Sequence, residues 1–241
     1  MKRVLIAFGC VCLLAWGFAM GRYEFWPFLD LQRVKLYFFP YKPDYVLPLD
    51  VNTYLEMRRE HLEMLGTRAE VVMLGDSLTE LGEWQEMFPE VKIANRGISS
   101  DTTSGILERL DEVLEAQPRK VFLMAGINDL SWGGVDEGVV LKNMGEITRR
   151  LKAQGVEEVV LQATIFPGKN HGADLPRKVE RLNKGLVKLA SEQGMEFVDL
   201  NGVLAPDGFL KTDFTMDGIH LNGKAYKVWA ERLAPLMKSG W

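Results

Sequence analysis

Four short polar clusters in this chain hold residue types that can do chemistry together. They are Gly75-Asp76-Ser77-Leu78-Thr79, Asn95-Arg96-Gly97, Gly126-Ile127-Asn128-Asp129 and Asp217-Gly218-Ile219-His220. A serine hydroxyl is a poor nucleophile until a base takes its proton. Histidine suits that task because its ordinary pKa, about 6.5, lies near neutrality. The chain has three histidines, and of these only His220 shares such a cluster with a nearby carboxylate, Asp217. That carboxylate can accept the other imidazole N–H and fix the tautomer. Ser77, His220 and Asp217 are thus the candidate nucleophile, base and orienting group for attack on a carboxylic ester.

The elements that must position them are legible as hydrophobic patterns. Short apolar runs recur at Val71–Leu74, Val91–Ala94, Val121–Met124, Val159–Leu161 and Phe197–Leu200. Their length and β-branched content predict buried parallel strands. Helical stripes lie between and after them: Ile106, Leu107, Leu110, Val113 and Leu114; Val139, Met144, Ile147 and Leu151; Val179, Leu182, Leu186, Leu189 and Ala190; Ala225, Trp229, Leu233 and Leu236. A further helix is expected over residues 51–65, ending at Gly66. Strand and helix in turn predict an α/β fold of three layers, α/β/α, around a five-stranded parallel sheet. Sites in such sheets form at the carboxyl ends of strands. The first three clusters follow apolar runs and the fourth precedes the last helix, so all four should meet at one sheet edge.

The 241 residues suit one α/β domain with a short extension. A net charge of -4 and the lack of a Lys/Arg-rich run exclude a basic nucleic-acid surface. Cys10 and Cys12 both lie in the first apolar run. The rest of the chain therefore has no disulfide, no thiol nucleophile and no cysteine-ligated zinc. Lys2 and Arg3 precede that run, which extends from Val4 to Met20 and as a helix would span about 25 Å. It reads as an uncleaved membrane anchor, favoured by its length and by Arg22, Tyr23, Phe25 and Trp26 after it, or as a signal peptide cleaved near Gly17-Phe18-Ala19. Either way the remainder is expected to be exported, secreted or periplasmic if released and membrane-tethered through residues 4–20 if not. The expected organisation is residues 1–21 as signal or anchor, 22–65 as an aromatic, proline-rich arm and helix, and 66–241 as the catalytic domain.

Taken together and in order, the four clusters resemble the four blocks of the SGNH hydrolase (GDSL esterase/lipase) family, over about residues 68–235. The nearest branches are bacterial proteins similar to platelet-activating-factor acetylhydrolase and to carbohydrate acetylesterases. The resemblance implies a flavodoxin-like sheet, the tight Asp217-x-x-His220 pairing, and an ester substrate, with neither metal nor cofactor. It also implies an oxyanion hole made from the backbone N–H of Ser77, the backbone N–H of Gly97 and the side-chain amide of Asn128. One departure stands out. The family often has a second glycine three residues after the first, and here Gly97 is followed by Ile98, Ser99 and Ser100.

Other polar residues are given plainer roles. Asp76 and Asp129 are expected to bond turn amides. His171, in the Gly/Pro/Lys/Asn loop from Phe166 to Leu175, is expected to be exposed, with substrate contact as the alternative. Glu80 and Trp132 are expected to pack or lie at the surface rather than line a pocket. A metallophosphoesterase would need an Asp-x-His pair and a Gly-Asn-His run, and neither occurs. Acyl transfer to a sugar hydroxyl, lysophospholipase or thioesterase action, and a non-catalytic binding protein on the same fold are the remaining alternatives. The favoured substrates are short acyl esters, acetyl above all, of a carbohydrate or lipid-like alcohol.

Overall fold

A computed structural model of the chain describes residues 50–131 and 134–237. The apolar run 4–20, the arm before residue 50, both cysteines and Trp132 lie outside the described residues. Among the described residues no helix is long and apolar enough to cross a membrane.

The elements follow in the order α1 (Val51–Leu65), β1 (Val71–Gly75), α2 (Ser77–Glu80), α3 (Trp84–Met87), β2 (Ile93–Gly97), α4 (Thr103–Glu108), α5 (Leu110–Glu115), β3 (Lys120–Met124), α6 (Ile127–Ser131), α7 (Glu137–Ala153), β4 (Glu158–Gln162), α8 (Asp174–Glu192), β5 (Glu196–Val198), α9 (Asn201–Leu204) and α10 (Gly223–Met237). Single 3-10 turns span Lys169–His171 and Thr212–Phe214. The five strands are all parallel and run β2-β1-β3-β4-β5 across the sheet. That is the flavodoxin-like order, and its switch point lies between β1 and β3.

The strand pleat sorts side chains to the two faces. Val72, Leu74, Val121, Leu123, Val159 and Leu161 pack with the buried stripes of α4, α5, α7 and α8. Val71, Met73, Phe122, Met124 and Val160 pack with Trp84, Leu204, Tyr226, Trp229 and Leu233 on the other face. Burying each such side chain contributes roughly 1.5–3 kcal/mol. Strands covered on both faces must be apolar throughout, and so the runs did not alternate.

Several boundaries differ from the sequence expectation, among them that of β5, which ends at Val198 while Leu200 precedes α9. The stripe of α7 begins at Val140, because Val139 points outward. The stripe expected over Ile106–Leu114 is broken at Arg109 into α4 and α5. Strand β2 starts at Ile93 and includes Asn95, Arg96 and Gly97, which pair in register with Met73, Leu74 and Gly75. The polar cluster thus forms the strand's own end rather than a loop after it. Its polar side chains find partners inside the fold: Asn95 Nδ2 donates to the carbonyls of Thr79, Glu80 and Gly82, and Arg96 Nε lies 2.5 Å from Glu112 Oε1, an ion pair without hydrogen-bond alignment.

Candidate active site

Ser77 is the first residue of α2, at the end of β1. Asp76 caps that helix in an extended conformation, its Oδ1 accepting from the N–H of Leu78 at 3.0 Å. The turn brings the Ser77 hydroxyl to the sheet edge while leaving the residue only 6% exposed.

Asp217 folds its own turn. Its Oδ1 accepts from the N–H of Ile219 at 2.9 Å and of His220 at 2.8 Å, and its Oδ2 lies 2.6 Å from His220 Nδ1. The three-residue spacing is what lets one carboxylate bind the backbone and the imidazole together. Partial burial acts to raise the Asp217 pKa, but these hydrogen bonds outweigh it and hold the carboxyl well below the usual carboxylate range. An ionised carboxylate can only accept, so Nδ1 carries the proton and Nε2 is left with its lone pair. Nε2 lies 3.1 Å from Ser77 Oγ. Such a chain of contacts can draw the proton from a serine hydroxyl and hold the imidazolium that results.

These groups open into a cavity of about 630 Å³, lined by Ser77, Ser99, Ser100, Ile127, Asn128, Ser131, His171, Asp217, Ile219 and His220. Asn128 stands on the first turn of α6, and its Nδ2 donates to the carbonyl of Asp101 at 2.8 Å, which orients the amide. His171 is exposed, as expected, yet it also forms part of this wall, with Nε2 donating to the carbonyl of Asp217 at 3.0 Å. Among the described residues no group of three or more His, Cys, Asp or Glu side chains could hold a metal ion.

Gly97 requires correction. It is absent from the cavity wall, and its N–H donates to Asn95 Oδ1 at 2.9 Å. It must be glycine for a packing reason: a Cβ there would lie 2.2 Å from the backbone nitrogen of Glu80 and 2.7 Å from the carbonyl carbon of Thr79. The residue that does face the cavity is Ser100, three positions on, where the family often has glycine. Its φ is +67°, in the left-handed region that disfavours side chains. Among the described residues its N–H makes no hydrogen bond.

Asp76 and Asp129 bond backbone amides, Asp129 across the fold at Thr103, where its carboxylate also takes the Thr103 hydroxyl. Burial pushes the Asp76 carboxyl up to about 7, helped by the charges of Asp101 and Asp129 and opposed by the Leu78 amide. Glu80 does not line the cavity; it accepts from the N–H of Ser99 at 2.7 Å and from the Ser99 hydroxyl. Arg109 was not singled out from the sequence. At the break between α4 and α5 it binds Asp101 Oδ2 at 2.7 Å and the carbonyl of Arg96 at 2.8 Å, and so fixes the segment that orients Asn128. An arginine between two helical stripes looks like a surface residue until the fold buries it.

The model of the GDSL-like lipase/acylhydrolase family matches residues 73–228. Platelet-activating factor acetylhydrolase IB subunit alpha1 of Rattus norvegicus is 30% identical over 166 residues, covering 65% of this chain and 70% of the rat protein. Among solved structures, one from Streptococcus pneumonia described as a platelet activating factor aligns with a TM-score of 0.71 at 26% identity, over 78% of this chain and 94% of that one. The fold is also that of Axe2, an acetyl-xylooligosaccharide esterase from Geobacillus, with a TM-score of 0.60 at 20% identity over 73% of this chain and 97% of that one. On the match of family model, relatives and fold, the chain belongs to the GDSL-like lipase/acylhydrolase family and is a carboxylic ester hydrolase.

Proposed function

We propose that this enzyme hydrolyses short-chain acyl esters, acetyl above all, of a carbohydrate or lipid-like alcohol through an acyl-Ser77 intermediate. His220 Nε2 takes the Ser77 proton as Oγ attacks the ester carbonyl carbon. The tetrahedral oxyanion is held by the backbone N–H groups of Ser77 and Ser100 and by the Asn128 amide. His220 then returns the proton to the leaving oxygen as the C–O bond breaks, and the alcohol departs. Water repeats the attack with His220 again as base, the acid is released, and Ser77 regains its proton.

The observation that carries this reading is the unbroken set of contacts from Asp217 through His220 to Ser77, opening on one cavity. The short-acyl preference draws support from the wall beside Ser77. Ser99, Ser100, Ser131 and Asn128 are small or polar there, and Ile127 and Ile219 are the aliphatic members. The names of the rat acetylhydrolase and the Geobacillus esterase point the same way. Ser77→Ala should abolish hydrolysis of p-nitrophenyl acetate with the fold intact, and a fully active variant would remove the mechanism. An acyl-chain series should peak at acetyl. Rates that climb toward long chains or thioesters would assign the enzyme to lysophospholipase or thioesterase chemistry instead.

A further inference from the structure

Ser100 holds a backbone conformation that a serine adopts only when its surroundings over-determine it. Two backbone hydrogen bonds fix the turn it belongs to: Ile98 N–H to the carbonyl of Gly75 at 3.2 Å, and Asp101 N–H to the carbonyl of Ile98 at 3.1 Å. The third restraint is a side chain. Glu80 Oε2 takes both the N–H and the hydroxyl of Ser99, the residue next to Ser100.

Glu80 is itself clamped from outside the sheet. Its Oε1 accepts from the Tyr54 hydroxyl at 2.5 Å and lies 3.0 Å from Arg58 Nε, an ion pair without hydrogen-bond alignment. Tyr54 and Arg58 are four residues apart and so share one face of α1. That helix starts on a firm cap, with Asp50 Oδ1 accepting from the N–H of Asn52 and of Thr53. Burial, with the Glu80 carboxylate close by, raises the Tyr54 pKa, which keeps the phenol a donor. A line of contacts therefore runs from α1 through Glu80 and Ser99 to the cavity wall.

We infer that Glu80 is a positioning residue for ester hydrolysis: held by Tyr54 and Arg58 of α1, it fixes Ser99 and so aims the Ser100 N–H at the developing oxyanion. The inference rests on the reading of Ser100 as an oxyanion donor. It gives α1 a part in the reaction although no residue of α1 touches the cavity.

The test is steady-state hydrolysis of p-nitrophenyl acetate by the full chain. Glu80→Ala should lower kcat about 10- to 100-fold, the scale of a misplaced catalytic group, with KM changed by less than about twofold. Glu80→Gln, which still offers Ser99 an acceptor oxygen, should recover part of the loss. Ser100→Gly in the Glu80→Ala background should recover more, because glycine takes the left-handed conformation without a clamp. A merely structural role would not give that rescue. Normal kcat in Glu80→Ala, or a loss that Ser100→Gly leaves untouched, overturns the inference. Asn128→Ala separates the two levels: if it is slow while Glu80→Ala is not, only the role of Glu80 fails, and if both are fully active the oxyanion reading fails with it.

Discussion

His220 Nε2 lies 3.1 Å from Ser77 Oγ although 143 residues separate the two in the chain. The contact exists because Ser77 opens α2 two residues after β1 ends and the turn before α10 ends at His220, on the same edge of the sheet. Asp217 supplies the orientation locally, and the fold supplies the meeting.

Asp217→Asn should therefore leave the fold intact and cripple the rate. An amide in place of Oδ2 would present N–H to Nδ1 and impose the wrong tautomer on His220. A fall in kcat on the order of 10²- to 10⁴-fold is expected for p-nitrophenyl acetate, with little change in melting temperature. Turnover near that of the unaltered enzyme would take Asp217 out of the mechanism.

Gly97→Ala tests the packing role given to that glycine. The new methyl would press on the backbone of Thr79 and Glu80 rather than on a movable side chain. Overpacking of this kind costs typically 1–3 kcal/mol. Urea unfolding should show that loss, and the rate should fall with it because α2 carries Ser77. Unchanged stability would show that the backbone relaxes freely there.

Asp76 should make stability fall as pH rises. Its carboxyl titrates near 7 when folded and near 3.8 when unfolded, so between those values the folded state binds the extra proton. Stability is then full below about pH 4 and declines through pH 7, by at most about 4 kcal/mol. Asp76→Asn keeps an oxygen for the Leu78 amide and cannot ionise. Its melting temperature should gain on that of the unaltered protein from pH 4 to pH 8, and parallel melting curves against pH would exclude the effect.

Trp229→Ala addresses the layer beneath the site. Trp229 is fully buried, edge-on to Trp84 at 4.8 Å and stacked on Tyr226 at 5.8 Å, and its Nε1 donates to Gln162 Oε1 at 2.7 Å. Truncation should cost about 3–5 kcal/mol. A loss under 1 kcal/mol by denaturant unfolding would mean that the α10 face carries little of the core.

The sequence alone determined what depends on local pattern. Apolar runs of strand length between amphipathic stripes require a parallel sheet covered on both faces, because only that arrangement buries them all. Asp217 and His220 could be paired from their spacing, since three residues is the reach of one turn. Tertiary structure decided whatever depends on which backbones meet. Register sets Gly97 beside Gly75, its N–H donates to Asn95 and its Cα packs on α2, and the residue at the cavity wall is Ser100 instead. The strand end at Asn95–Gly97 reads as a loop because its polar residues find partners only when Thr79, Glu80 and Glu112 arrive from elsewhere. Glu80 looked like a surface glutamate for the same reason. Its partners, Tyr54, Arg58 and Ser99, lie 19 or more residues away, and no periodicity in a single chain encodes a contact made across a sheet edge.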